Sequence, residues 1–192
     1  MAEKDGKTSL PVEGRNPTGM KMIVGVQVVF TGIMYAVLKY VNPEQKLLAA
    51  LPFTLETTMA YLVLMGGLVQ GMMFSKTNWA RIEYSVPWPH TFALENNPKK
   101  IMFDCVQRAH LNFVENYTQM LALIFFAAKL APKATFIFGS FFLLGRVLFA
   151  QGYYSGVAEK KDIGVIGYLL GVFPITGLAW LYLLSQLGFV QL

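Results

Sequence analysis

Between residues 163 and 187 no side chain carries a charge. As a helix rising about 1.5 Å per residue, such a run is long enough to cross the roughly 30 Å hydrocarbon core of a bilayer. Lipid offers the backbone no hydrogen-bonding partners, so a helix is the form that satisfies it there. Other runs follow the same pattern. Residues 55–74 have Glu56 as their only charge, at the start, and residues 134–154 have only Arg146. Residues 22–38 have Gln27 and Thr31 as their only polar side chains, bracketed by Lys21 and Lys39. That run is at the short limit for a span, which leaves a partly embedded helix as its alternative. With 55% hydrophobic residues against 14% charged, and a mean hydropathy of +0.46, the chain has no room for a separate soluble domain.

Residues 98–130 read as one more helix, apolar from Met120 onward and polar before it. At about 50 Å it exceeds the thickness of the hydrocarbon, so its polar first part protrudes or lies at the interface. The expected fold is therefore all-α and integral to a membrane. It comprises a tail over residues 1–20, an additional N-terminal membrane helix over 21–41, and a four-helix membrane domain over 53–192. Residues 75–100 form the longest connection, where Pro87-Trp88-Pro89 and Asn96-Asn97-Pro98 forbid a continuous helix. Gly67-x-x-x-Gly71 in the second run, and Gly164, Gly167 and Gly171 in the last, predict close helix approaches. Pro174 predicts a kink.

The net charge of +5 follows this topology and does not form a block suited to nucleic acid. With five spans, the tail, the long connection and the turn holding Lys160 and Lys161 share one side. That side has ten basic residues and the other has Lys39, Lys46, Lys129 and Lys133. The basic side is expected to be cytosolic. One cysteine, Cys105, excludes an internal disulfide and reads as a small apolar filler. The histidines, His90 and His110, do not make a metal site.

The polar part of the third helix carries the chemistry. At helical pitch Asp104, Arg108, Asn112, Glu115 and Gln119 share one face, with His110 and Tyr117 roughly opposite. Charges in or beside hydrocarbon cost about 2.5 kcal/mol or more each at the bilayer centre, so this face is expected to meet a partner, a cavity or a polar ligand. A packing ion pair between Arg108 and Glu115 is the plainer alternative. Arg146, with Tyr153 seven residues on, lies at similar depth in the fourth span, so a shared pocket opening to the cytosol is expected. Arg108 offers a planar donor fork for a carboxylate, and Glu115 an acceptor for an amine. These residue types suit a small zwitterion held next to lipid.

The stretch Cys105-Val-Gln-Arg-Ala-His-Leu-Asn-Phe-Val-Glu-Asn-Tyr117, together with Gly145-Arg-Val-Leu-Phe-Ala-Gln-Gly-Tyr-Tyr-Ser-Gly156, resembles the MAPEG family of membrane glutathione enzymes. The similarity begins near Leu55 and leaves the tail and residues 22–38 outside the usual four-helix pattern. It implies a homotrimer with glutathione between subunits on the cytosolic side of an intracellular membrane, such as the endoplasmic reticulum. Arg108, His110, Asn112, Glu115, Tyr117, Arg146 and Tyr153 are the implied glutathione-binding positions. The family's leukotriene-C4 synthase has glutamine at position 110 and tyrosine at 149, where this chain has His110 and Phe149. That synthase activates the thiolate with an arginine in the turn where this chain has Lys160 and Lys161. Its arginine pair at the end of the first family helix falls near Thr77-Asn78, with Arg81 the nearest basic residue. The thiolate stabiliser is thus open among Arg146, Lys160 and Lys161.

The implied activity is a glutathione transferase and glutathione-dependent peroxidase acting on lipophilic electrophiles, with glutathione as co-substrate and no metal. Two other readings compete. One is a non-catalytic lipid-binding scaffold like the 5-lipoxygenase-activating member of the family, which lacks an arginine at position 108 and has aspartate at 115. The other is a carrier or channel subunit, against which the wholly apolar stretch 121–128 argues.

Overall fold

The computed structural model describes residues 17–37, 39 and 53–192, and five α-helices make up most of them. These are α1 (Pro17–Ala36), α2 (Leu55–Glu83), α3 (Lys100–Leu130), α4 (Pro132–Tyr154) and α5 (Asp162–Gln186). No strand occurs among the described residues. Helices α2, α4 and α5 are long and apolar enough to cross a membrane. Most of the expected N-terminal tail, and the last residues of the helix expected over 21–41, lie outside the described residues.

Local chemistry sets the helix boundaries. Thr54 caps α2: its hydroxyl accepts from the Thr57 amide at 3.2 Å, while the Thr57 hydroxyl accepts from the Thr54 amide at 2.9 Å. The helix then runs nine residues past Phe74, into the stretch expected to be connection. Hydropathy falls at Ser75 but nothing there disfavours helix; the stop comes at Ser85, whose φ of 55° no helix accepts, and at Pro87. The connection proper is therefore only residues 84–99. Pro132 at the first turn of α4 needs no amide there, so Ala131 alone suffices as the turn from α3. The chain's N-terminal helix begins at Pro17, earlier than its apolar run.

Glycines set how closely the helices pack. A Cβ at Gly145 would strike the backbone of Gly167 and Tyr168, and one at Gly164 or Gly171 would strike α4 at Phe149 or Phe142. The expected approach of α5 is thereby realised against α4. The other expected notch is not used within the chain: Gly67 and Gly71 have nothing within 4 Å. The neighbouring Gly66 is the one that faces inward, where Tyr117 fills the space a Cβ would take. Leu62, Phe113, Ile124, Phe142, Ile175 and Leu178 are buried at the centre of the bundle. Pro174 is buried within a continuous α5.

Helix α1 lies along α5 in the same direction. The Gln27 amide donates to the Phe173 carbonyl at 3.5 Å, Phe30 stacks on Phe173, and Thr31 lies against Gly177. A second, smaller core of Ala80, Tyr84, Val86, Ala93, Phe103 and Val106 seals the end of the bundle under the 84–99 connection. Tyr154 packs against both cores, so the ends of α2 and α4 and the starts of α3 and α5 share one side.

Candidate functional site

Arg146, on α4, is a cation buried inside the bundle, 3% exposed. Its Nη1 donates to Asn112 Oδ1 at 2.9 Å, and its guanidinium lies 4.1 Å from the ring centroid of Tyr168. The rings of Phe142 and Phe149 flank it at 5.4 Å each. Its Nε is buried without an acceptor. Burying a guanidinium is tolerable only when its donors are met, and a donor left over is a place for a ligand oxygen. Asn112 is the hinge of the arrangement: its side chain serves Arg146, while its carbonyl accepts from Asn116 Nδ2 at 2.7 Å. Asn116 Oδ1 in turn accepts from the Tyr168 hydroxyl at 3.3 Å. Three helices, α3, α4 and α5, thus meet in one polar cluster inside an apolar bundle.

From Arg146 the face of α4 continues through Phe149 to Tyr153, whose rings are 5.1 Å apart. Lys161 Nζ lies 5.9 Å from the Tyr153 ring and 4.0 Å from Asp162. The basic turn reaches α4 this closely because Gly152 has no side chain; a Cβ there would strike the Lys160 carbonyl. Lys160 itself is exposed. Arg146, Tyr153 and the turn with Lys160 and Lys161 therefore form one strip.

The third helix divides its candidates. Arg108 sits one turn, about 6 Å, before Asn112 on the same face, is exposed, and makes no hydrogen bond or ion pair among the described residues. Glu115 is also exposed, and the packing ion pair with Arg108 does not form: the ion pairs among the described residues involve Lys100 and Lys161. Within a single chain Arg146 reaches α3 at Asn112, with no bond to Arg108. His110 is half-buried beside Phe74, with ring centroids 6.0 Å apart.

Tyr117, expected as a ligand contact, makes its bonds within the subunit. It is buried, stacks on Phe113 at 5.0 Å, and donates its hydroxyl to the Leu62 carbonyl at 2.9 Å. In this chain it fastens α3 to α2 beside Gly66. Arg81 is also buried: it lies against the rings of Trp88 and Phe103 and donates to the His90 carbonyl at 2.7 Å, holding the 84–99 connection, while its Nε, like that of Arg146, is left without an acceptor. Lys100 secures the other end of that connection, through Asp104 at 2.9 Å, Glu95 at 3.3 Å and the Ala93 carbonyl at 3.0 Å. The bond to Asp104, helped by Glu95, holds its ammonium above the usual lysine range. Asp104 therefore belongs to the connection and not to the polar cluster.

Tyr168 and Asn116 complete the cluster and were not anticipated. The available signals were a phenol in an otherwise apolar run and its position next to Gly167. Among the described residues no group of three His, Cys, Asp or Glu side chains is placed to hold a metal ion.

Residues 58–184 match the MAPEG family. The chain belongs to it. The match starts inside α2 and ends near the close of α5, so it takes in every residue of the polar cluster and leaves α1 out. Among curated relatives of this MAPEG protein is the Uncharacterized protein sll1147 of Synechocystis sp. (strain ATCC 27184 / PCC 6803 / Kazusa). The two are 35% identical over 113 residues, 57% of this chain and 77% of the relative.

Proposed function

We propose that this MAPEG protein is a membrane glutathione transferase with glutathione-dependent lipid hydroperoxide reductase activity, of the kind of microsomal glutathione S-transferase 3. The observation that supports it most is Arg146, a buried guanidinium with one donor fully met, one donor unmet, and a tyrosine ring against its face. A tripeptide carboxylate or thiolate supplies the missing acceptor. Arg108 and Glu115 are too costly to leave facing lipid, and they project from the subunit next to Asn112. In a homotrimer they meet a neighbouring copy, whose Arg108, His110 and Glu115 then hold the ends of glutathione while Arg146 and Tyr153 face its thiol.

Free glutathione is mostly thiol at neutral pH, and the thiolate is the nucleophile. Lowering the thiol pKa by two to three units requires about 3–4 kcal/mol of preferential anion stabilisation. A cation in a partly desolvated site supplies energies of that size. Arg146 and the turn lysines Lys160 and Lys161 are the groups placed to do so. The electrophile arrives through the bilayer. Attack on an epoxide or unsaturated carbonyl forms a carbon–sulfur bond, and the displaced electron pair takes up a proton. With a hydroperoxide, sulfur takes the terminal oxygen, the alkoxide leaves and is protonated, and a second glutathione displaces water to give the disulfide. The site is proposed to face the cytosol from the endoplasmic reticulum or another intracellular membrane, following the bias in basic residues.

The test is glutathione binding, read by calorimetry and by thiolate absorbance, on the purified wild type and on Arg108→Ala. Loss of both signals with fold and oligomer retained is expected. Unchanged binding in the variant would reject the proposed site, and binding without thiolate formation in the wild type would point to the lipid-binding scaffold.

A further inference from the structure

About a quarter-turn around α4 from Arg146 and Tyr153, a cleft of about 360 Å³ opens between α2 and α4. Its deeper walls are Val69 and Met73 from α2 and Val147 and Ala150 from α4, all apolar. Its outer end is lined by Lys76, Gln151 and Tyr154, level with the point where α2 leaves its apolar run. The volume is within the range of small-ligand sites. The cleft therefore changes from greasy to polar along the membrane normal, as a lipid of one leaflet does.

The polar end carries one charge, the Lys76 ammonium, with the Gln151 amide and the Tyr154 hydroxyl able to donate beside it. Lys76 makes no ion pair among the described residues; its ammonium rests 5.9 Å from the ring centroid of Tyr154. Neither the Gln151 side chain nor the Tyr154 hydroxyl makes a hydrogen bond among the described residues, although Tyr154 is half-buried. An ammonium, an amide and a phenol around one mouth call for a group with several acceptor oxygens and a negative charge. A phosphodiester has four oxygens, and lysine is a common point-charge binder of phosphate. The apolar walls require that this phosphate carry an acyl chain. We propose that the α2–α4 cleft holds an anionic phospholipid of the surrounding leaflet, with its phosphate on Lys76 and Tyr154 and one chain along Val69, Met73 and Val147. Such a lipid would brace α2 against α4. The inference does not depend on glutathione chemistry.

Native mass spectrometry of the full-length protein, exchanged into detergent with equimolar dioleoylphosphatidylglycerol and dioleoylphosphatidylcholine, tests it. These lipids share chains and phosphodiester and differ in net charge. The wild type is expected to retain the anionic lipid about tenfold over the zwitterionic one. Lys76→Gln should bring the ratio close to unity, Tyr154→Phe should lower it in part, and Lys129→Gln, at the other end of the bundle, should leave it unchanged. A photoactivatable phosphatidylglycerol should label peptides containing Val69–Lys76 or Val147–Tyr154. No preference in the wild type, a preference that survives Lys76→Gln, or labelling confined to other helices would overturn the proposal. So would equal displacement of the lipid by oleate, which would make this a site for free acids, or exclusion of lipid by a second copy of the chain.

Discussion

Replacing Asn112 with alanine isolates what the buried guanidinium of Arg146 requires. The change removes the one side-chain acceptor bonded to it, at 2.9 Å, and leaves a 3%-exposed cation among the rings of Phe142, Phe149 and Tyr168. A hydrogen bond to a charged group contributes about 1.5–3 kcal/mol. Alanine returns up to about 0.7 kcal/mol through its better helix propensity, and the Asn112 carbonyl keeps its bond from Asn116. The net cost is about 1–2 kcal/mol, which for a chain of this size lowers Tm by about 2–8 °C. Arg146→Met removes the cation together with its demand, losing about 2 kcal/mol of cation–π attraction but recovering the cost of burying a charge. The double variant should therefore be no less stable than Arg146→Met alone. Thermal unfolding in one detergent, followed by helical circular dichroism without glutathione, measures all three. Additive losses, or an Asn112→Ala shift below about 1 °C, would mean that the pair carries no coupling and that the buried cation is satisfied some other way.

Four further outcomes follow from the geometry. Gly145→Ala drives a methyl into the backbone of Tyr168 and should cost about 1–3 kcal/mol by overpacking, read as lowered Tm. Gly67→Ala, with open space around it in the subunit, should not lower the Tm of the dissociated monomer, since alanine gains up to about 1 kcal/mol of helix propensity. Tyr117→Phe loses the bond to the Leu62 carbonyl, about 1 kcal/mol, yet should keep its glutathione affinity; a large loss of binding would return Tyr117 to the ligand shell. Lys160→Gln and Lys161→Gln, titrated by thiolate absorbance, should separate the turn: a raised thiol pKa in either assigns the stabiliser, and no change in both leaves Arg146.

Helix number, helix type and the division of α3 into polar and apolar parts were legible because they depend only on period and hydropathy. The end of α2 was not, because polarity and helix termination are different signals: residues 75–83 are polar but break no helical rule. Glycine pairs were half legible. Gly164, Gly167 and Gly171 meet α4, as a close approach required, whereas Gly67 and Gly71 gave no indication of whether their partner lay within the chain or outside it. Tyr117 could not be assigned from its type, since a phenol serves equally as ligand contact or as helix fastener. Only the position of the Leu62 carbonyl reveals the fastening.

Asn112 shows why the polar set on α3 resisted reading as a unit. Its helical face has Arg108 one turn before it and Glu115 about one turn after it, and periodicity assigns all three the same direction. A side chain at the boundary of that face can turn inward, and Asn112 does so because Arg146 offers it a charged donor inside the bundle. Arg108 and Glu115, equally placed by pitch, have no such donor or acceptor among the described residues and stay outward. The face is therefore split by what the next helix presents, which no single-helix pattern contains.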